Sequence, residues 1–128
     1  MAGTTYKRDN DWVDTDGWIA TRGTVSVGDN KLICSSSDID FYITKTGFSF
    51  SGASNRFIYL YLSEVPAGNN VGQVYYATSG HGISASYYTT FNIAKKGLYI
   101  LDMGELTNGG NDWITSTITS LRFDFGTQ

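Results

Sequence analysis

The chain has 128 residues and a net charge of -3, with 41% hydrophobic, 15% aromatic and 16% charged residues. That length suits one domain that can bury a core without a metal or a disulfide. Lys95 and Lys96 form the one paired-lysine spot, so the basic stripe of a nucleic-acid-binding protein is missing. No apolar run approaches the roughly 20 residues of a membrane helix. We therefore expect no nucleic-acid partner and no membrane.

The hydrophobic pattern repeats every two residues, which is typical of β-strands. In chain order, the candidate strands are 18–20, 24–27, 31–34, 39–44, 47–50, 56–62, 72–78, 88–93, 98–102 and 118–125. Glycine-rich and asparagine-rich turns separate them, and Gly28-Asp29-Asn30 indicates a hairpin. A single helical turn is predicted over 112–116, with Asp112 as its N-cap. This spacing favours an all-β antiparallel sandwich or barrel of about ten strands.

The sequence also predicts where two of the strands lie in their sheets and where the domain begins. Segment 56–62 is apolar or amphipathic on both faces, which predicts a central strand. The last strand candidate, 118–125, is expected to close a sheet. Residues 1–10 are polar and predict an N-terminal arm, ahead of a single β-sandwich domain over 11–128.

Reactive side chains are few. Cys34 is the single cysteine and lies in a strand-like run, so we expect a buried structural thiol without a disulfide. His81, the single histidine, stands between two glycines, which indicates an ordinary loop residue. No base, nucleophile elbow or marked carboxylate pair accompanies it at a recognisable spacing. The sequence therefore predicts a protein without catalytic activity.

Oxygen-bearing side chains are dense over 9–17, where Asp14-x-Asp16-Gly17 matches a fragment of a calcium-binding loop. Calcium takes six to eight oxygen ligands, and Asp124 from the last strand could add one. Two interpretations remain open: a structural calcium ion held by Asp14, Asp16 and Asp124, or turn-forming aspartates on a solvated edge. No other cofactor is predicted.

Aromatic residues are the most informative feature, because nine Tyr, seven Phe and three Trp exceed what a small core usually absorbs. Adjacent tyrosines at 75–76 and 87–88 must each place one ring outward if the segments are strands. Outward Tyr and Trp suit sugar rings or protein interfaces. The candidate ligand or interface residues are Trp12, Trp18, Tyr59, Tyr61, Tyr75, Tyr87 and Trp113. Alternatively, the three tryptophans cap the ends of the core.

Two motifs near the C-terminus carry a family resemblance: Tyr99-x-x-Asp102, and Trp113-x-x-x-x-Ile118-x-x-Leu121-Arg122-Phe123-Asp124. They resemble the closing strands of jelly-roll carbohydrate-binding modules, and 72–88 looks like the paired strands before them. The same sandwich is similar to domains of bacteriophage virion proteins, such as head-decoration and tail-fibre proteins. The resemblance implies a two-sheet jelly roll, and no sugar site is transferred to Trp113 or Asp102.

The resemblance leaves two functions open. One is a structural or adhesive module on the virion surface, with protein partners in a capsid or fibre and a homo-oligomer among its forms. An initiator Met, low charge and the lack of a secretion signal favour this expectation. The other is a carbohydrate-binding module of a secreted polysaccharide-degrading enzyme, which acts outside the cell and binds glycan chains through exposed Tyr and Trp.

Overall fold

The computed structural model describes residues 15–28, 31–36, 38, 40–64 and 71–125. This part of the chain forms ten strands and one 3₁₀ turn, and its strand pairings are antiparallel. The strands are β1 (Ile19–Thr21), β2 (Thr24–Gly28), β3 (Lys31–Ser35), β4 (Tyr42–Lys45), β5 (Phe50–Ser51), β6 (Phe57–Leu62), β7 (Val71–Thr78), β8 (Tyr88–Asn92), β9 (Gly97–Asp102) and β10 (Thr117–Asp124), and the turn spans Trp113–Thr115. The predicted all-β class and strand number are confirmed.

The largest sheet has six strands in the order β1-β4-β10-β7-β8, and β5 also pairs with β10. β10 therefore lies in the middle of the sheet, whereas the sequence predicted that it would close one. Its inward residues Ile118, Leu121 and Phe123 are buried. On its other face Asp124 is buried too, and its carboxylate accepts two hydrogen bonds from Arg122. A register shift between Ile118 and Ser120 marks a β-bulge near its start.

Two strand pairs complete the described fold. β2 and β3 form a hairpin in which Gly28 lies opposite Lys31, so the hairpin predicted at this point is confirmed. β6 pairs with β9, with Phe57 opposite Asp102. Within the described ranges β6 has β9 as its one hydrogen-bonded neighbour, so the prediction of a central strand is wrong. The side of β6 that carries its tyrosines faces outward instead of being covered by another layer.

One hydrophobic core joins these sheets, and its buried residues come from both the six-stranded sheet and the β6–β9 pair. Trp113 is completely buried. Its ring meets the Tyr76 ring edge-on, 4.9 Å between centroids, and Nε1 donates a hydrogen bond to the carbonyl oxygen of Asn55 at 2.9 Å. Trp18 is buried as well, with its ring 5.6 Å from that of Phe123. The two tryptophans are thus core residues.

Cys34 departs from its prediction, because it is exposed. It lies opposite Val25 on the two-stranded β2–β3 sheet, which leaves the side chain at a margin of the core. Partial desolvation still raises the pKa of its thiol to about 11, so the sulfur stays protonated at neutral pH.

The close approach of Gly52 to Trp113 generates a stability prediction. A Cβ at Gly52 would lie 1.7 Å from the carbonyl oxygen of Trp113, so Gly52→Ala must push the 3₁₀ turn away from the core. We expect a loss at or above the upper end of the roughly 1–3 kcal/mol that overpacking costs. Urea unfolding followed by circular dichroism measures it. Gly82→Ala is the control, because a Cβ there meets nothing within 4 Å; equal urea midpoints for the two variants would contradict the packing described.

Candidate functional site

The outward side of the β6–β9 pair carries a cluster of large exposed side chains. Tyr59 lies opposite Ile100 and Tyr61 lies opposite Leu98, so the four form two adjacent cross-strand pairs. Their exposed fractions are 46% and 66% for the tyrosines, 59% for Leu98 and 56% for Ile100. Four of the six large hydrophobic residues exposed in the described part of the chain lie here. We call these four residues the β6–β9 apolar face.

Strand alternation explains why these residues face outward. Ile58 and Leu101 lie opposite each other and are buried in the core. Since successive side chains of a strand point to opposite sides, the flanking Tyr59 and Ile100 must point away from the core. A contiguous apolar patch on a soluble protein is characteristic of an interaction site.

An ion pair closes one end of this face. Arg56 donates two hydrogen bonds to Asp102, from Nε at 2.7 Å and from Nη2 at 2.9 Å, and the Gly104 amide donates a third at 2.9 Å. The bond from Arg56 is the main reason that the pKa of Asp102 is lowered; desolvation works against it. Asp102 is therefore held as a carboxylate that orders the end of β9.

The outward side of the six-stranded sheet carries a different arrangement. The Arg122 guanidinium lies 3.6 Å from the centre of the Tyr42 ring and 5.0 Å from that of Tyr75. Tyr75 in turn stacks on Tyr88, 5.3 Å between centroids. These four side chains form what we call the tyrosine–arginine ladder. Because its members stack on one another, the face of Tyr75 is covered, and its hydroxyl donates to the Gln73 side chain at 2.9 Å.

A polar cluster joins two loops beside Trp113. The carboxylate of Asp112 accepts a hydrogen bond from Tyr76 at 2.7 Å and lies 2.7 Å from Nε2 of His81. Nδ1 of His81 lies 2.8 Å from the carbonyl oxygen of Gly82, and its ring stacks on Tyr87 at 3.7 Å. Asp112 occupies the predicted N-cap position of the 3₁₀ turn, but its side chain makes no capping bond there. Instead, its carboxylate accepts the hydrogen bond from Tyr76 and pairs with His81.

The protonation state of His81 follows from its partners. A carbonyl and a carboxylate only accept hydrogen bonds, so both ring nitrogens donate when the imidazole is protonated. Desolvation lowers the pKa of His81, but the bonds to Asp112 and Gly82 outweigh it, and the net shift is upward. In the protonated form both ring nitrogens donate, one to Asp112 and one to the Gly82 carbonyl oxygen. The cluster holds the loop that carries His81 against the loop that carries Asp112.

The two described calcium candidates, Asp16 and Asp124, are each paired with a cationic side chain. Asp16 forms an ion pair with Lys45 at 3.0 Å, and Asp124 accepts two hydrogen bonds from Arg122 at 2.8 and 2.9 Å. Each carboxylate thus has its own cationic partner, which does not fit a shared calcium ion. Asp14 lies outside the described residues. Among those described, no group of three or more His, Cys, Asp or Glu could hold a metal ion.

The aromatic candidates that the structure describes also differ in burial. Trp12 lies outside the described residues, and the burial of Trp18 and Trp113 removes both from any surface. Tyr75 and Tyr87 are half-buried in stacks. The tyrosines of the β6–β9 apolar face are the pair that the structure brings together with their rings exposed. The sequence prediction missed the aliphatic half of that face, although the alternation in 98–102 carried the signal.

No protein-family model and no curated protein matches this chain. In the ranges that the structure describes, no helix has the length and hydropathy needed to cross a membrane. The proposed function therefore rests on the geometry of the two sheet surfaces.

The His81 cluster predicts a pH dependence of stability. Because the pKa of His81 is raised in the folded state, its contribution is complete below the ordinary value of about 6.5 and is lost as pH rises through the raised value. We expect the melting temperature to fall over that upper range, and His81→Gln to flatten this part of the profile. A single histidine gives one pair of imidazole C–H resonances, Hδ2 and Hε1, so proton NMR measures its pKa without overlap from other histidines. A measured pKa at or below 6.5, or a His81→Gln profile that keeps the same slope, would refute the assignment.

Proposed function

We propose that this protein is a non-catalytic structural and adhesive module that docks through the β6–β9 apolar face onto a protein partner. The observation that carries the proposal is the contiguity of four exposed large hydrophobic side chains on one strand pair. Placed against a protein, such a face gains the burial energy of its apolar area, at roughly 25 cal/mol per Å². The class that fits this behaviour is a bacteriophage virion decoration or fibre-type protein on the particle surface.

The composition of the face supports a protein partner over a sugar. Tyr rings can stack on sugar rings, but Leu98 and Ile100 bring neither a π-face nor a hydrogen-bonding group. Charged groups lie at the ends of the strand pair, while its middle is apolar and aromatic. An apolar, aromatic centre with a polar rim is the usual anatomy of a protein interface.

The proposal includes a finer fold assignment, a two-sheet jelly-roll sandwich. The shared core supports it, because inward residues of β6 and β9 and of the six-stranded sheet belong to one cluster. In this arrangement the β6–β9 pair belongs to the second sheet. Its apolar face would then form an outer surface of the particle-binding domain.

A second candidate function is glycan binding, as in a carbohydrate-binding module of a secreted polysaccharide-degrading enzyme. Tyr59 and Tyr61 favour it, since they lie two residues apart on one strand, about 6.6 Å by strand rise, with both rings exposed. Two such rings could stack on successive sugars of an extracellular polysaccharide. The tyrosine–arginine ladder is a poorer sugar platform, because Arg122 covers one face of Tyr42 and Tyr75 stacks on Tyr88.

Co-sedimentation tests the docking proposal. The protein and its variants are co-expressed with the virion structural genes that this proposal expects beside its own gene, and the particles are pelleted. Tyr61→Lys or Leu98→Lys places a charge in the apolar face, and we expect each to weaken particle binding at least about 30-fold, the effect of losing a hot-spot residue. Ile19→Lys is the matched control, because Ile19 is 68% exposed but lies on β1 of the other sheet.

The outcomes separate the candidates. Loss of particle binding in the two face variants, with Ile19→Lys unchanged, supports docking through this face. Equal binding by all the variants, or none by the wild type, rejects it. On a glycan array, a signal that Tyr59→Ala and Tyr61→Ala abolish and Leu98→Lys preserves would establish the glycan function in its place.

A further inference from the structure

We infer that the β6–β9 apolar face pairs with the same face of a second copy of this chain, with the strand pairs running in opposite directions across a two-fold axis. This inference rests on the proposed function, which makes the face a docking surface, and it names the partner. Its basis is the distribution of charge at the two ends of the face.

The first end carries a net negative charge. Arg56 and Asp102 neutralise each other through their two hydrogen bonds. Glu105 is the surplus group: its side chain is 76% exposed, and its Oε2 lies 4.0 Å from Nη2 of Arg56. This end therefore presents one unbalanced carboxylate to a partner.

The opposite end carries a net positive charge. Leu62, the last residue of β6, lies opposite Gly97, the first of β9. Lys95 and Lys96 directly precede that point and are exposed, while Glu64 follows the end of β6 and is also exposed. Two cations and one anion leave one unbalanced positive charge. The middle of the face, between these ends, is uncharged.

The opposite charges at the two ends of the face determine which two-fold dimer is favoured. In an isologous dimer, the same patch meets itself, so that contact i to j is repeated as j to i. For face-to-face packing the two-fold axis lies within the interface plane, and its two limiting directions are parallel and perpendicular to the strands. An axis parallel to the strands stacks each end on its like, whereas an axis perpendicular to them places each positive end on a negative end, twice. The charges favour the second axis, because like-charge juxtaposition is costly.

The size of the face sets the expected strength. By the 150–250 Å² that one large aromatic side chain can bury, the four half-exposed residues offer roughly 400 Å² of apolar area per copy. Two copies reach roughly 800 Å², and end contacts add to it, while stable interfaces bury about 1,200–2,000 Å² in total. The structure therefore points to a reversible dimer whose population rises with concentration.

Sedimentation velocity over a concentration series, at low and high salt, tests the pairing on the full chain. We expect the wild type to move from one 14.0 kDa chain to twice that mass, and Tyr61→Lys to stay monomeric. Ile19→Lys should dimerise like the wild type. A wild type that remains monomeric throughout, or a Tyr61→Lys protein that dimerises normally, overturns the inference.

Charge reversal tests the direction of the pairing. Lys95→Glu with Lys96→Glu, or Glu105→Lys alone, should weaken dimerisation about 5- to 10-fold at low salt and less at high salt, because exposed charges are screened. All three substitutions together should restore it, since each end again meets its opposite. Failure of the triple variant to recover overturns the antiparallel arrangement.

Self-pairing and the proposed function fail in different ways. A monomeric wild type that still pellets with particles, and loses this on Tyr61→Lys, overturns self-pairing and leaves docking on another protein intact. A dimer that forms as described but ignores particles confirms self-pairing and rejects the virion role.

Discussion

The hydrogen bond from Trp113 to the carbonyl oxygen of Asn55 is the contact on which the rest of the described structure depends. It joins the turn before β10, the central strand of the large sheet, to the residue two positions before β6. Gly52 leaves just enough room for this approach. Once β6 is fixed in this way, its Ile58 turns into the core and strand alternation leaves the tyrosines of β6 no direction but outward.

Whether a tyrosine side chain is exposed depends on how it packs and not on its residue type alone. Tyr76 is completely buried and bonds to Asp112, Tyr75 is stacked in the ladder, and Tyr61 is largely exposed. In the ladder each ring has at least one face stacked on a neighbour, which leaves less open ring area for a partner. On the β6–β9 apolar face the rings lie beside aliphatic side chains and keep area for a partner. Tyrosine therefore stabilises the six-stranded sheet by stacking, while on the β6–β9 pair its rings stay exposed for a partner to contact.

The period-two pattern predicted all ten described strands, mostly to within a residue or two of their ends, because alternation is a local property. Phe50 belongs to a much shorter strand than 47–50 predicted. Neighbours in space were not predictable: β6 was expected to be central, and Trp113 was left open between a surface residue and a cap on the core, whereas the structure buries it completely. His81 and Asp112 are 31 residues apart, so no spacing rule could join them. Tyr59 and Tyr61 were predicted as candidate interface residues, since aromatic residues that alternate along one strand lie on the same face.

Hydroxyl-radical footprinting with mass spectrometry tests most directly whether the β6–β9 apolar face is the working surface, because it reports the exposure of each side chain in the free and the assembled protein. On assembly we expect four side chains to lose reactivity, Tyr59, Tyr61, Leu98 and Ile100, while Ile19 and Tyr88 on the other sheet keep theirs. Protection of Ile19 and Tyr88 with Tyr61 unchanged would contradict it, and would move the working surface to the six-stranded sheet.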